Sequence, residues 1–155
     1  MAHTYTNLLI HVLFSTKDRQ PMLDDELKSR LFPYLAGIIT NLKGRPVIIN
    51  GPKDHVHLLF VLPTTLPLAD LMEKLKANSS KWVHEDSPRR ANFAWQTGYT
   101  AFSVSQSNLA AVRRYIVQQE EHHIKLTYQE EVLALLKRHE IQYDPLTCPR
   151  FLYQS

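Results

Sequence analysis

The 155-residue sequence predicts a single α+β domain, spanning residues 1–155, of the ferredoxin-like (split β-α-β) kind. Such a domain is a four-stranded antiparallel sheet with helices on one face, here followed by C-terminal helices. Short runs of β-branched and apolar residues alternate with longer segments whose apolar residues recur at helical spacing. Their order is β-α-β-β-α-β-α-α, and the first six elements follow the split β-α-β plan. The second face of the sheet is then free or shared with a partner.

The individual elements follow from local patterns. The predicted strands are rich in β-branched and apolar residues and cover residues 5–16, 45–50, 55–62 and 99–105. The predicted helices have apolar residues at helical spacing and cover residues 24–43, 67–85, 106–123 and 127–140. Pro67 suits the opening of the second helix, and Thr127 with Glu130 three residues later is a capping box for the fourth. The turn at residues 51–54 joins the two middle strands as a hairpin.

Composition and charge limit the class of protein. No apolar run approaches the ~20 residues that a membrane-spanning helix needs, and the apolar N-terminus has no preceding basic region, so it predicts a strand rather than a signal peptide. The single cysteine, Cys148, excludes an internal disulfide and favours the reducing cytoplasm. Residues 1–119 carry 14 Lys and Arg against 9 Asp and Glu, whereas residues 120–155 carry 4 against 6. This excess suits a phosphate-bearing partner, although ordinary charge scatter on a solvated surface explains it equally well.

Two histidines in the third predicted strand are the first candidates for chemistry. His55 and His57 are two residues apart, so the alternation of a strand places both rings on one face. Val56, Leu58 and Phe60 then form the opposite, core-facing side. Neutral imidazole is a common metal ligand, and two rings on one strand face can reach a single ion. Surface or interface histidines are the alternative interpretation, because a metal site needs a third ligand from elsewhere.

The third predicted helix offers a tyrosine and a glutamine on one face. Tyr115 and Gln119 are four residues apart, whereas an apolar stripe for packing is formed by Leu109, Val112 and Ile116. A phenol is a nucleophile only as phenolate, which at pH 7 costs roughly 4 kcal/mol for a pKa of about 10. A nearby cation would reduce that cost, but a tyrosine that only fills the core is an equal alternative. His122 and His123 are further ligand candidates, or they only interact with the helix dipole.

These residues carry a family resemblance. The chain resembles the single-tyrosine HUH transposases of the insertion-sequence 200/605 type, including the REP-associated tyrosine transposases. The histidine–hydrophobic–histidine signature is His55-Val56-His57, and the helical tyrosine with glutamine four residues on is Tyr115 and Gln119. Further similar stretches are HVLFSTKDRQ, GPKDHVHLLF, LKANSSKW, FAWQTGYTAFSVSQSN and YIVQQEEHH. The resemblance covers about residues 5 to 145, with each motif in order.

The resemblance implies a strand-transfer mechanism. In this family the tyrosine attacks a phosphodiester of single-stranded DNA at a hairpin-bearing element end and becomes linked to the 5′ phosphate. A later 3′-OH attack rejoins the strand. Tyr115 is then the nucleophile, and His55, His57 and Gln119 bind Mg²⁺ or Mn²⁺. The family also implies a homodimer, and an apolar sheet face that carries Leu59 and Val61 is consistent with one.

Basic and aromatic residues supply candidate DNA contacts. Lysine and arginine suit phosphates and an aromatic ring suits an unpaired base, and the candidates are Lys17, Arg19, Lys53, Lys81, Arg89, Arg90, Arg113, Arg114 and Trp95. Arg113 and Arg114 flank Tyr115 in sequence, so one of them is a candidate to stabilise charge on the reacting phosphate.

Two other functions remain open from the sequence. One is a non-catalytic or domesticated single-stranded nucleic-acid-binding module derived from such a transposase. The other is a metal-dependent hydrolase that uses the same histidines with water. The recognised hairpin, the cleavage sequence and the mobility of this copy are not encoded in these motifs.

Overall fold

The structure is a computed structural model that describes residues 3–119 and 126–144. Its strands are β1 (Leu9–Ser15), β2 (Arg45–Asn50), β3 (His55–Val61) and β4 (Thr100–Val104). Its α-helices are α1 (Asp25–Asn41), α2 (Leu68–Asp86), α3 (Leu109–Val117) and α4 (Tyr128–Arg138). Short 3₁₀ turns cover Lys17–Arg19, Pro88–Arg90 and Gln106–Asn108. Cys148, His122 and His123 lie outside the described residues.

The four strands form one antiparallel sheet in the order β2-β3-β1-β4. This order, with α1 and α2 as the two connecting helices, confirms the predicted ferredoxin-like α+β fold. The central pair is β1 and β3, and its register places Leu13 opposite His57 and Ser15 opposite His55. The candidate histidines therefore lie in the middle of the sheet, where backbone pairing on both sides holds their strand.

The first face of the sheet packs against α1 and α2. Alternate residues of β1 and β3, including Phe14, Val56 and Phe60, join leucines of both helices in one core. Asp24 caps α1 by accepting a hydrogen bond from the backbone N–H of Leu27 at 2.9 Å.

The second face is covered by the chain's own α3 and α4, which corrects the expectation that this face is free or shared with a partner. Leu13 and Phe102 of the sheet pack against Tyr128, Val132 and Leu136 of α4. Burial of an aliphatic side chain such as Leu136 contributes about 1.5 to 3 kcal/mol. The predicted capping box is present at the start of α4.

The apolar residues that suggested a dimer are largely accounted for within one chain. Leu59 is completely buried and Val61 is half-buried without any second copy. The prediction that this face exposes apolar surface is therefore wrong, and the face gives no support for a homodimer. Among the described helices, none combines the length and hydrophobicity needed to cross a membrane.

Candidate active site

The turn before β3 fixes the positions of the two histidines. Gly51 lies in this turn and packs against the start of β3, so that a Cβ atom at Gly51 would lie 2.2 Å from the carbonyl oxygen of His55 and 2.9 Å from the Cα of Val56. No larger residue fits without moving the strand. The predicted hairpin is thus drawn tightly against the first histidine.

Each histidine is oriented by a partner at its Nδ1 atom. The Nδ1 of His55 donates to Oδ1 of Asp54 at 2.8 Å, and the Nδ1 of His57 lies 2.8 Å from Nε2 of His11. Both rings are completely buried, which excludes the surface alternative. With the Nδ1 atoms engaged, the Nε2 atoms of both rings face the space between β3 and α4. A fixed Nδ1 partner is the usual support of a metal-binding imidazole.

Glu131 of α4 enters this space from the opposite side. Its Oε1 lies 2.5 Å from Nε2 of His57, and its Oε2 lies 3.7 Å from Nε2 of His55. The ligand atoms of these three residues lie within 4.8 Å of one another. Glu131 was not predicted as a site residue from the sequence, where its neighbour Glu130 was assigned to the capping box of α4. A usable signal was present, since Glu131 falls on the apolar side of α4 beside Tyr128 and Leu135.

Charge in the cluster is set by burial and by these contacts. Burial raises the pKa of Glu131, but the contacts with His55 and His57 outweigh it and hold that pKa well below its usual range. Burial lowers the pKa of His57 below its ordinary value despite the nearby carboxylate. For His55 burial also lowers the pKa, but the carboxylates of Asp54 and Glu131 outweigh it and the net shift is upward. Glu131 is therefore an ionised, buried carboxylate.

Tyr115 and Gln119 reach the same space from α3 and the residues after it. Gln119 is completely buried, and its Nε2 donates to the backbone oxygen of Tyr115 at 3.3 Å. Its amide also interacts with the ring of His57 and with the phenol of Tyr115. The rings of Tyr115 and His57 have centroids 5.8 Å apart and stand edge to face. The four residues singled out by the sequence are therefore neighbours.

The phenol of Tyr115 is difficult to ionise in this environment. Burial, and then the carboxylate of Glu131, raise its pKa well above the ordinary value of 10.0. The ring is only half-buried, because a cavity of about 410 Å³ opens beside it. His11, Phe102, Arg138 and His139 are among the residues that line this cavity. A ligand can therefore approach the phenol from solvent.

Comparison with known proteins identifies the family. The profile of the family described as "Transposase IS200 like" matches residues 4–119. This range is most of the sequence, and it contains His55, His57, Tyr115 and Gln119.

The chain belongs to the IS200-like transposases.

Relatives of this transposase agree with the assignment. The transposase for insertion sequence element IS200 from Salmonella typhimurium (strain LT2) is 27% identical over 127 residues, which are 78% of this chain and 82% of that protein. The structure of a proposed transposase from Deinococcus radiodurans R1 has 25% identity and a TM-score of 0.62, and the match covers 77% of this chain and 96% of that one. A REP-associated tyrosine transposase, solved with a REP hairpin, shares the fold at 11% identity with a TM-score of 0.54, over 81% and 72% of the two chains.

Most of the basic residues predicted to contact DNA lie on the transposase surface. Those with exposed side chains are Lys17, Lys53, Lys81, Arg89, Arg113 and Arg114, whereas Arg19 and Arg90 are half-buried. Arg89 and Arg90 form ion pairs with acids near the start of α1, Glu26 at 3.1 Å and Asp24 at 2.8 Å. Arg113 and Arg114 line a cavity of about 470 Å³ on another side of α3, which Tyr115 does not line. Arg113 and Arg114 are therefore adjacent to Tyr115 in the sequence but do not line the cavity beside its ring.

Trp95 occupies the core of the transposase rather than its surface. Its side chain is 9% exposed and makes edge contacts with Phe14 and Phe93, with centroids 4.8 and 4.9 Å away. Its Nε1 donates to Oγ of Ser79 at 2.9 Å. These contacts argue against the predicted DNA contact of Trp95.

Proposed function

We propose that this transposase cleaves and rejoins single-stranded DNA at hairpin-bearing ends through a 5′-phosphotyrosine on Tyr115. The observation that carries the proposal is the convergence of Tyr115, Gln119 and the two histidines. They come from two elements far apart in sequence, yet the phenol ring lies beside His57, and a cavity opens next to it. Burial of three polar side chains around one point has no evident role in stability, so a role in chemistry is favoured.

The donor set fits a divalent metal ion. His55, His57 and Gln119 would hold it, as two imidazole nitrogens and an amide oxygen. In the described part of the chain, Oε1 of Gln119 and Nε2 of His57 are buried without a hydrogen bond of acceptable geometry. Buried polar atoms of this kind normally have partners, and a cation supplies one. Mg²⁺ and Mn²⁺ both accept such ligands, and the imidazoles favour Mn²⁺.

The strand-transfer steps need little from the protein besides position and charge. The phenol oxygen of Tyr115 attacks the scissile phosphorus, its proton passes to solvent, and the 3′ oxygen of the cleaved strand leaves as a hydroxyl. A 3′-OH then attacks the phosphotyrosine and releases Tyr115, so one ester replaces another at each step. A bound divalent cation would polarise the phosphate and favour the phenolate. That support matters here, because burial makes the phenol of Tyr115 hard to ionise.

The DNA substrate follows from charge and from the family. Residues 1–119 carry the positive balance and include the exposed lysines and arginines described above. Basic surface of this kind binds phosphates without reading sequence. The REP hairpin held by the structural relative supports a hairpin-bearing single strand as substrate. We extend the proposal, through the family resemblance, to a homodimer acting in the cytoplasm, and light scattering of the purified protein tests the dimer.

The test is a covalent adduct. The protein is incubated with single-stranded DNA from the flanks of its own gene and Mg²⁺, and a denaturing gel resolves protein linked to DNA. Tyr115→Phe should abolish the adduct while binding to the hairpin persists. Tyr34→Phe, on α1 at the opposite face of the sheet, is the matched control and should leave the adduct intact.

Three other outcomes would overturn the proposal in different ways. An adduct that survives in Tyr115→Phe would mean that another residue is the nucleophile. Free 5′-phosphate product that is indifferent to Tyr115→Phe would indicate a metal-dependent hydrolase. Hairpin binding that survives chelation, with no cleavage by the wild-type protein, would indicate a binding module.

A further inference from the structure

Glu131 lies beyond residues 4–119, the range that matches the family, and it is not one of the three residues to which the proposed function assigns the ion. Its side chain is 1% exposed, although α4 has an exposed face on which a glutamate could lie at no cost. An ionised carboxylate removed from water is destabilising by several kcal/mol unless it is paired and hydrogen-bonded. The position of Glu131 therefore needs a compensating partner.

The groups that face the carboxylate of Glu131 include the rings of His55 and His57. Both carboxylate oxygens of Glu131 are buried without a hydrogen bond of acceptable geometry. The Nε2 atom of His57 lies 2.5 Å from Oε1, and the Nε2 atom of His55 lies 3.7 Å from Oε2. The carboxylate of Asp54 accepts from Nδ1 of His55, so Nε2 is the ring nitrogen of His55 that faces Glu131. A divalent cation bound by both Nε2 atoms and by the carboxylate would compensate the buried charge of Glu131.

The spacing agrees with shared ligation of one ion. Adjacent ligands of Mg²⁺ at about 2.1 Å are about 3 Å apart, and opposite ligands are about 4.2 Å apart. The ligand atoms of His55, His57 and Glu131 lie within 4.8 Å of one another, and the 2.5 Å between Nε2 of His57 and Oε1 of Glu131 would lengthen by about 0.5 Å to admit the ion. A carboxylate is also the ligand type that Mg²⁺ and Mn²⁺ prefer. The donor set of two imidazoles and one amide lacked any anionic ligand.

We infer that Glu131 is a direct ligand of the divalent metal ion, so that α4 is part of the active site. The inference rests on the proposed metal-dependent function. It assigns a double role to α4, because Tyr128, Val132 and Leu136 dock the helix on the sheet while Glu131 binds the ion. Metal binding and docking of α4 should then be coupled.

The first test measures binding of Mn²⁺ to the full chain, without DNA, from the loss of the electron paramagnetic resonance signal of free Mn²⁺. Glu131→Gln keeps the shape of the side chain and removes its charge. It should weaken Mn²⁺ binding by at least about tenfold, because substitution of residues that only support the ligands already lowers metal affinity by that factor. Glu130→Gln is the matched control, since it removes the same charge one residue away and glutamine still serves a capping box. Affinity for Mn²⁺ should be unchanged in the control.

The second test needs no variant. Hydrogen exchange of the wild-type protein with and without Mn²⁺ should show slower exchange across Tyr128–Arg138 when the ion is present. Unchanged exchange in α4 while Mn²⁺ binds, or wild-type affinity in folded Glu131→Gln, would overturn the inference. Failure of the proposed function gives a different result, because the wild-type protein would then bind no Mn²⁺, or His57→Ala would bind it as well as the wild type.

Discussion

Removal of the carboxylate behind His55 tests whether the ligands are held in place by the residues around them. Asp54 accepts a charge-assisted hydrogen bond from Nδ1 of His55 at 2.8 Å, and its own side chain is 17% exposed. In Asp54→Ala the Nδ1–H of the buried His55 ring loses this acceptor. The His55 ring is then less firmly oriented, and its Nε2 atom is less basic. The backbone contact of Asp54 with Thr16 at 2.9 Å is unaffected by the substitution.

The expected loss can be worked out from these contacts. Removal of a supporting carboxylate typically weakens metal binding 10- to 100-fold, or about 1.4 to 2.7 kcal/mol. Because Asp54 is partly exposed, solvent screens its charge, and we expect about tenfold for Asp54→Ala. Asp54→Asn should lie between this variant and the wild type, since an amide oxygen still accepts the hydrogen bond but carries no charge.

Titration with Mn²⁺, followed by electron paramagnetic resonance, measures the affinity, and circular dichroism confirms that each variant is folded. Asp70→Asn is a suitable control because Asp70 is an exposed acid at the start of α2. An affinity of Asp54→Ala within twofold of the wild-type value would refute the reasoning. So would an equal loss in the Asp70 variant, which would point to net charge rather than to the contact.

Two predictions concern stability. Trp95→Phe should lower the unfolding free energy by about 2 kcal/mol, because packing and the hydrogen bond to Ser79 are lost. The melting temperature should fall by about 4 to 8 °C. Weaker hairpin binding at an unchanged melting temperature would contradict the core position of Trp95. Burial lowers the pKa of Lys76 from 10.5 to about 8, so between pH 8 and 10.5 the unfolded chain binds more protons and stability rises with pH. The unfolding free energy from urea titration, taken relative to Lys76→Met, should rise by about 1 kcal/mol across this pH range, a value reduced for the partial exposure of Lys76. A difference between the two proteins that does not change with pH would contradict the prediction.

The fold was predictable because its signals are local. Alternation in the strands, helical spacing in α1 to α4 and the capping box at Thr127 all depend on residues close in sequence. The predicted start of the first strand was wrong by four residues, since β1 begins at Leu9. The two strands beside β1 end opposite Leu9, β3 at Val61 and β4 at Val104. Residues 5–8 therefore have no continuous strand on either side to pair with. A single sequence does not show where a partner strand ends.

Contacts between distant elements account for what the sequence did not predict. Alternation predicted that His55 and His57 share a face of the sheet, but it did not predict that α4 covers this face. Glu131 was therefore not identified, and a second subunit was expected to cover Leu59. Trp95 was predicted to stack on a base because it lies in a loop rich in basic and aromatic residues. In the structure its segment is tied to the end of β1, where Lys17 donates its N–H to the oxygen of Ala94 at 2.8 Å, and the indole turns inward.

The buried carboxylate of α4 also bears on the history of such genes. Docking of α4 through Val132 and Leu136 benefits any copy of the protein, whereas Glu131, as the inferred ligand, would benefit only a copy that still binds the ion. After loss of the chemistry, the acid would remain as a destabilising charge, and replacement by an amide or an apolar residue would raise stability at once. Among related genes, the residue at this position should therefore distinguish copies under selection for strand transfer from copies retained for another purpose.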